Sequence, residues 1–201
     1  MKTDIISVSS TGDGATTALA HAEAACAYAN LDKKKTLQIR LLTEEMMGML
    51  QGMTGETDGE FWIEAQGKNF RLNLKTNTNM NSEKRKKILS SSHSGKNVEA
   101  KGFMGKMRDI LERMLEPYDD TVTDAYASGF SYPGVDASLS IPSTPMWSYN
   151  QYRDSLNDPN HSNREVWDEL EKSIVGSLAD DIQIGIKGDS VRMTIFKNFE
   201  E

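Results

Sequence analysis

The chain has 201 residues, a formal charge of −7 and 37% hydrophobic residues. That length fits one domain, or one domain with an insertion, and it can bury enough surface to fold without disulfide or metal staples. No run approaches the roughly 18 apolar residues of a membrane-crossing helix, and the single cysteine, Cys26, has no disulfide partner within the chain.

Residues 1–6 carry no long apolar segment of the secretory type, and one unpaired cysteine fits a reducing compartment. The expectation is a cytoplasmic protein. Residues 3–8 alternate and read as a strand, and Ser9–Gly14 as a turn. Residues 15–30 are Ala-rich and helical. Cys26 sits among alanines there and reads as a packed small side chain rather than a nucleophile. Asp32 is a suitable N-cap for a long helix over 33–53.

That long helix has two dissimilar faces. At about 100° per residue, Ile39, Leu42, Met46, Met49, Leu50 and Met53 form one stripe, which is expected to pack on a sheet. Opposite lie Leu37, Leu41, Glu44, Glu45, Gly48 and Gly52. A solvated face would be richer in Lys, Glu and Gln. Each interior glycine costs about 1 kcal/mol relative to alanine, which close approach by a ligand or another chain would explain. The plainer reading is a helix buried on both sides, with Glu44 or Glu45 paired to a lysine.

Gly55–Gly59 reads as a loop. Phe61–Ala65 and Phe70–Leu74 flank Gln66–Asn69 and read as a β-hairpin. A polar stretch follows at 77–101, and a helix at 102–116 ends at Pro117. Residues 117–161 hold all five prolines and read as a loop-rich insertion, with an aromatic group at Trp147, Tyr149 and Tyr152. Residues 162–178 read as a helix with Val166, Leu170, Ile174 and Leu178 at core spacing. A second hairpin, Ile182–Ile186 and Val191–Phe196, closes the chain. Helices and hairpins come in blocks, so the class is α+β: a two-layer arrangement, its sheet mixed but mostly antiparallel, with helices on one face.

Charge is uneven. Residues 75–108 hold nine Lys/Arg against two Glu, while residues 116–181 hold thirteen Asp/Glu against three Lys/Arg. An acidic protein with one basic island is a poor general nucleic-acid binder. It suits a small anion such as a nucleotide phosphate, or an acidic protein surface. No Cys/His cluster has zinc-ligand spacing. The carboxylate pairs Asp119–Asp120 and Asp180–Asp181 are the candidates for a hydrolase, and solvated caps or turns are the plainer account of both.

The order of these pieces resembles the GHKL, or Bergerat-fold, ATP-binding domain of histidine kinases and anti-sigma-factor kinases. A strand and helix precede the long helix with Leu41-Leu42-Thr43-Glu44-Glu45. A hairpin, a polar loop and a basic stretch follow, ending in Lys101-Gly102-Phe103-Met104-Gly105-Lys106 at a helix start, before the terminal hairpin. The resemblance covers 3–115 and 180–199 of a single domain spanning 1–201, with 117–161 as the insertion.

In that family the long helix supplies a Glu and, four residues later, an Asn that holds Mg²⁺. Glu44 matches the first, making it the catalytic and metal candidate, and Gly48 stands in the Asn position. The family's adenine-reading Asp and its glycines correspond to Thr76-Asn77-Thr78-Asn79-Met80, which lacks them. Gly102 and Gly105 retain part of the glycine-rich turn, whose N–H groups would hold phosphate with Lys96, Lys101 and Lys106. The resemblance thus implies ATP as ligand, Mg²⁺ with a depleted ligand set, and a regulatory domain weak or inactive in hydrolysis. Nucleotide-binding positions would be Gly48, Thr76, Thr78, Lys96, Lys101, Gly102, Gly105 and Lys106. The alternative is a degenerate relative that binds a regulatory protein through its Met-rich helices. Neither nucleic acid nor membrane is expected as a partner.

Overall fold

The computed structural model describes residues 1–51, 57–77, 146–156, 173–187 and 190–200. Strand β1 (Ile6–Ser9) leads into α1 (Ala15–Tyr28) and α2 (Lys33–Gln51). Strands β2 (Asp58–Gln66) and β3 (Asn69–Asn77) follow. Then come β4 (Met146–Ser148), α3 (Tyr149–Leu156), α4 (Ile174–Leu178), β5 (Asp181–Lys187) and β6 (Ser190–Asn198).

The strands form one sheet in the order β1-β2-β3-β6-β5-β4. The class is α+β, as the blocks of helices and hairpins imply. Every described pairing is antiparallel, so the expected mixed character is absent among the described residues. Both predicted hairpins lie in this sheet, joined through β3 and β6, with Leu72 opposite Ile195 and Leu74 opposite Met193.

Period-two alternation decides the sheet's faces. Phe61, Ile63, Phe70, Leu72, Leu74, Ile182, Ile184, Met193 and Ile195 all point to one side and are almost wholly buried. α1 adds Ala18, Ala22, Ala25 and Cys26, and α2 adds Ile39, Leu42, Met46, Met49 and Leu50 to the same core. Alanines let α1 approach α2 and β2 closely. The predicted stripe of α2 is therefore the buried one, with Thr43 and Met47 buried beside it. Thr43 tolerates burial because its hydroxyl donates to the Ile39 carbonyl at 2.9 Å.

On the other side of the sheet Trp62 is also buried, outside the main core. Its indole N–H donates to Glu64 at 2.9 Å. Lys2 and Arg192 each lie 5.2 Å from its ring centre, so two cations share one aromatic face system.

Two expectations are corrected. Asp58 and Gly59 belong to β2, not to a loop. The helix predicted over 162–178 does not run unbroken into its last turns. Ser173 is extended, and its hydroxyl accepts the Gly176 N–H as the N-cap of α4. In α4 it is Val175 that is buried, while Ile174, expected at core spacing, is 40% exposed. Tyr149 is buried, and its hydroxyl donates to the Gly176 carbonyl. The Trp147 and Tyr152 side chains, Val166, Leu170, the polar stretch beyond Asn77 and the helix predicted at 102–116 lie outside the described residues.

Candidate functional site

The outward face of α2 begins at its cap. Asp32 Oδ1 accepts the Lys35 backbone N–H at 2.9 Å, and this hydrogen bond holds the carboxyl below the usual range. Further along, Arg40 Nε donates to Glu44 at 3.1 Å, and Arg40 Nη1 donates to Glu23 of α1 at 2.9 Å. The Glu44 hydrogen bond, then the charges of Glu23 and Glu44, raise the guanidinium pKa further. Glu44 therefore sits in an exposed ion-pair chain that ties α2 to α1. The plainer reading of its pairing was right in kind but named the wrong cation, arginine in place of lysine.

Glu45 is half-buried. Burial, and then the neighbouring Glu44 charge, push its carboxyl up. Gly48 lies one turn beyond Glu44, and a Cβ built there would meet nothing within 4 Å among the described residues. Glu44 and Gly48 are exposed while Leu41 and Glu45 are half-buried, so this face of α2 is not fully buried like the opposite one. Leu37 on that face is 53% exposed.

A second group gathers at the end of the sheet from which β3 exits. Thr76 continues the core-facing series of Leu72 and Leu74, opposite Gly59 on β2 and Val191 on β6. It is only 2% exposed, and its hydroxyl oxygen has no hydrogen-bond partner among the described residues. Gly59 is needed beside it. A Cβ there would come within 3.0 Å of the Lys75 carbonyl and 3.2 Å of Thr76 Cγ2.

Gly59 also lines an open cavity of about 350 Å³ with Ser7, Val8, Ser9, Asp13 and Asp58. Its rim is the β1–α1 turn. Asp13 Oδ2 accepts the hydroxyls of Thr11 at 2.7 Å and Ser9 at 3.1 Å, and these bonds lower its pKa. Gly14 enters α1 at φ +79°, with the position of a Cβ 2.2 Å from the Ser7 carbonyl, so only glycine fits. Gln51 in the last turn of α2 reaches Gly12 of the same turn. The exit of β3, the cavity and the C-terminal end of α2 therefore share one end of the fold.

Of the residues singled out from sequence, Glu44, Gly48 and Thr76 are described. Glu44 and Gly48 share the exposed face of α2, whereas Thr76 is buried on the core side of the sheet, so the three are not brought together on one surface. Thr78, Lys96, Lys101, Gly102, Gly105 and Lys106 lie outside the described residues, as do Asp119 and Asp120. The other carboxylate pair is structural. Asp180 accepts from Lys197 at 2.8 Å and from the Asn198 backbone, and Asp181 accepts from Ser148, the Asn150 backbone and Gln183. Asp13 and Asp58 had no role in the sequence reading, which took Ser9–Gly14 only as a turn. The Gly12-Asp13-Gly14 run was the available signal. Among the described residues no three His, Cys, Asp or Glu side chains group as a metal site, and no helix is long and apolar enough to cross a membrane.

No protein-family model matches the chain, and neither a curated protein nor a solved structure matches it.

Proposed function

We propose that the chain is a nucleotide-binding regulatory domain of Bergerat type, with ATP as its ligand and weak or absent hydrolysis. The observation that carries this reading is Thr76. A buried hydroxyl without a partner is costly, and this one stands where the resemblance puts the adenine-reading acceptor. A threonine oxygen can accept from an exocyclic amine, but it lacks the charge of the family's aspartate. Discrimination and affinity both fall when such an acceptor is weakened.

Magnesium is the weaker half of the reading. It wants several oxygen ligands in octahedral array. Glu44 is the one carboxylate on α2 in the family position, Arg40 already engages it, and Gly48 offers no side chain. Phosphates would depend on the N–H groups at Gly102 and Gly105 and on Lys96, Lys101 and Lys106. Losing two ligand contacts at roughly 1.5–3 kcal/mol each weakens binding about a hundredfold or more.

Calorimetric titration of ATP with and without Mg²⁺ tests this. Weak binding with little dependence on Mg²⁺, and slower or no turnover, is the expected result. Tight Mg-ATP binding with fast turnover, abolished in Glu44→Ala, would overturn the degenerate reading. The absence of any ATP binding would leave the second reading, a protein-interaction module, which the exposed Leu37 and the open space at Gly48 favour.

A further inference from the structure

The exposed stripe of α2 has an internal pattern that extends beyond Glu44 and Gly48, the two positions the nucleotide reading uses. Its N-terminal end carries Lys33 and Lys34, both exposed, and its C-terminal half carries Glu44 and Glu45. Between them lie Leu37, 53% exposed, and Leu41, half-buried. At about 100° per residue, Lys33 and Glu44 fall about 20° apart on one flank of the stripe. Lys34 and Glu45 fall about 20° apart on the other. Leu37 and Leu41 straddle the centre line, and Gly48 lies on it.

A helix with cations at one end, anions at the other and leucines between is complementary to itself when reversed; Arg40, between the two ends at the edge of the Lys33 flank, is held by Glu23 of α1 and by Glu44 of its own chain. With a two-fold axis at the height of Ile39, Leu37 of one copy meets Leu41 of the second copy. On one flank Lys33 meets Glu44 of the second copy, and on the other Lys34 meets Glu45. A two-fold of this kind keeps each flank facing the same flank, so both charge pairs form together, each twice. Gly48 lies about 13 Å from the axis at 1.5 Å per residue. The same distance on the second copy reaches the α1–α2 turn, where Asn30 has φ +51°. A side chain at position 48 would stand against that turn, and glycine lets it approach.

We infer that this face of α2 is the interface of an antiparallel homodimer, with a second copy of the chain as its occupant. The Leu37 and Leu41 side chains form its apolar centre and the Lys–Glu pairs its rim. Rim pairs of this kind contribute modestly and set register more than affinity. The dimer is therefore weak and forms only at high protein concentration.

Sedimentation velocity of the full chain without nucleotide, from low micromolar to near-millimolar protein, tests this. A concentration-dependent dimer is expected, weakened by high salt. Leu37→Glu should weaken it about tenfold or more by placing a carboxylate in the apolar centre. Lys33→Glu with Lys34→Glu should weaken it as well, and adding Glu44→Lys and Glu45→Lys should restore it. Circular dichroism checks that each variant is folded. The charge swap keeps the test intact if Leu37→Glu unfolds, because the reversed charges suit the helix dipole better than the native ones. A monomer at every concentration, a dimer indifferent to Leu37→Glu in a folded protein, or a swap that fails to restore association would each overturn the inference. The sedimentation test contains no nucleotide, so its failure is distinguishable from failure of the ATP titration, although both readings use Glu44 and Gly48.

Discussion

The Glu44 carboxylate accepts a hydrogen bond from Arg40 Nε at 3.1 Å, one turn back on the same helix. The carboxylate we propose as a metal ligand is thus already neutralised by a neighbour. Both side chains are well exposed, so the pair adds little to stability. Arg40→Ala should leave the melting temperature nearly unchanged and free Glu44 for a cation. Calorimetry should then show ATP binding that depends more on Mg²⁺ than in the native protein. Loss of ATP binding in this variant would mean that Arg40 itself touches the ligand.

Two glycines give opposite expectations. Gly14→Ala forces a Cβ toward the Ser7 carbonyl at a positive φ, and should destabilise by ~2–4 kcal/mol. Gly48→Ala meets open space in a helix interior and should stabilise the monomer by ~0.5–1 kcal/mol. Urea unfolding at low protein concentration measures both. A destabilised Gly48→Ala would show that something already occupies that space.

Much of the fold was legible because its signals are local. Alternation at Phe70–Leu74 and Val191–Phe196 marks strands, the 3.6-residue stripe from Ile39 to Leu50 marks the buried face of α2, and Asp32 marks its start. What failed depended on distant partners. Gly59 reads as a loop residue until β3 lies beside it, where Leu74 and Thr76 leave no room for a side chain. The spacing of Leu170, Ile174 and Leu178 continues a helix smoothly, and the Ser173 cap that starts α4 depends on one hydroxyl turning to Gly176. The burial of Thr76 follows from its register against Val191, far along the chain, so its position was readable while its missing partner was not.

Cys26 is buried, and its thiol pKa rises from the usual 9.0 to about 11. Burial is the main cause, Thr36 opposes it with a hydrogen bond, and the Glu23 charge adds to it. At pH 8 the thiolate fraction is on the order of one in a thousand. Iodoacetamide should therefore label native protein far more slowly than urea-unfolded protein. The raised native pKa also fixes a sign. This contribution to stability is complete below the unfolded value of 9.0 and is lost as pH rises toward about 11. Cys26→Ala should flatten that part of the stability profile, and an unchanged profile would refute the assignment.

The Asp32 cap behaves in the opposite sense. Its pKa is lowered, first by the Lys35 backbone hydrogen bond. Its contribution is therefore present above the unfolded carboxyl value and is lost as pH falls through the lower native value. Asp32→Asn keeps a capping oxygen without the charge. The acid limb of its stability curve should be shallower than that of the native protein, with similar stability at neutral pH. Identical acid limbs in thermal melts would show that the cap contributes no pH dependence.

Thr76 separates a structural hydroxyl from a ligand-reading one. Removing a buried, unpartnered hydroxyl relieves its desolvation cost, so Thr76→Val should stabilise the free protein by about 1 kcal/mol. If that oxygen reads an exocyclic amine, the same variant should bind ATP more weakly while GTP binding stays as it was. Thr76→Asp supplies a charged acceptor in the same place. A buried carboxylate without a partner is costly, so that variant should be less stable alone. ATP should return part of the lost stability, because a ligand that binds only the folded state raises the melting temperature with its concentration. Melting curves of the three proteins across ATP and GTP concentrations give the answer directly. ATP that stabilises Thr76→Val as well as it stabilises the native protein would remove Thr76 from the binding site and leave its hydroxyl a packing defect.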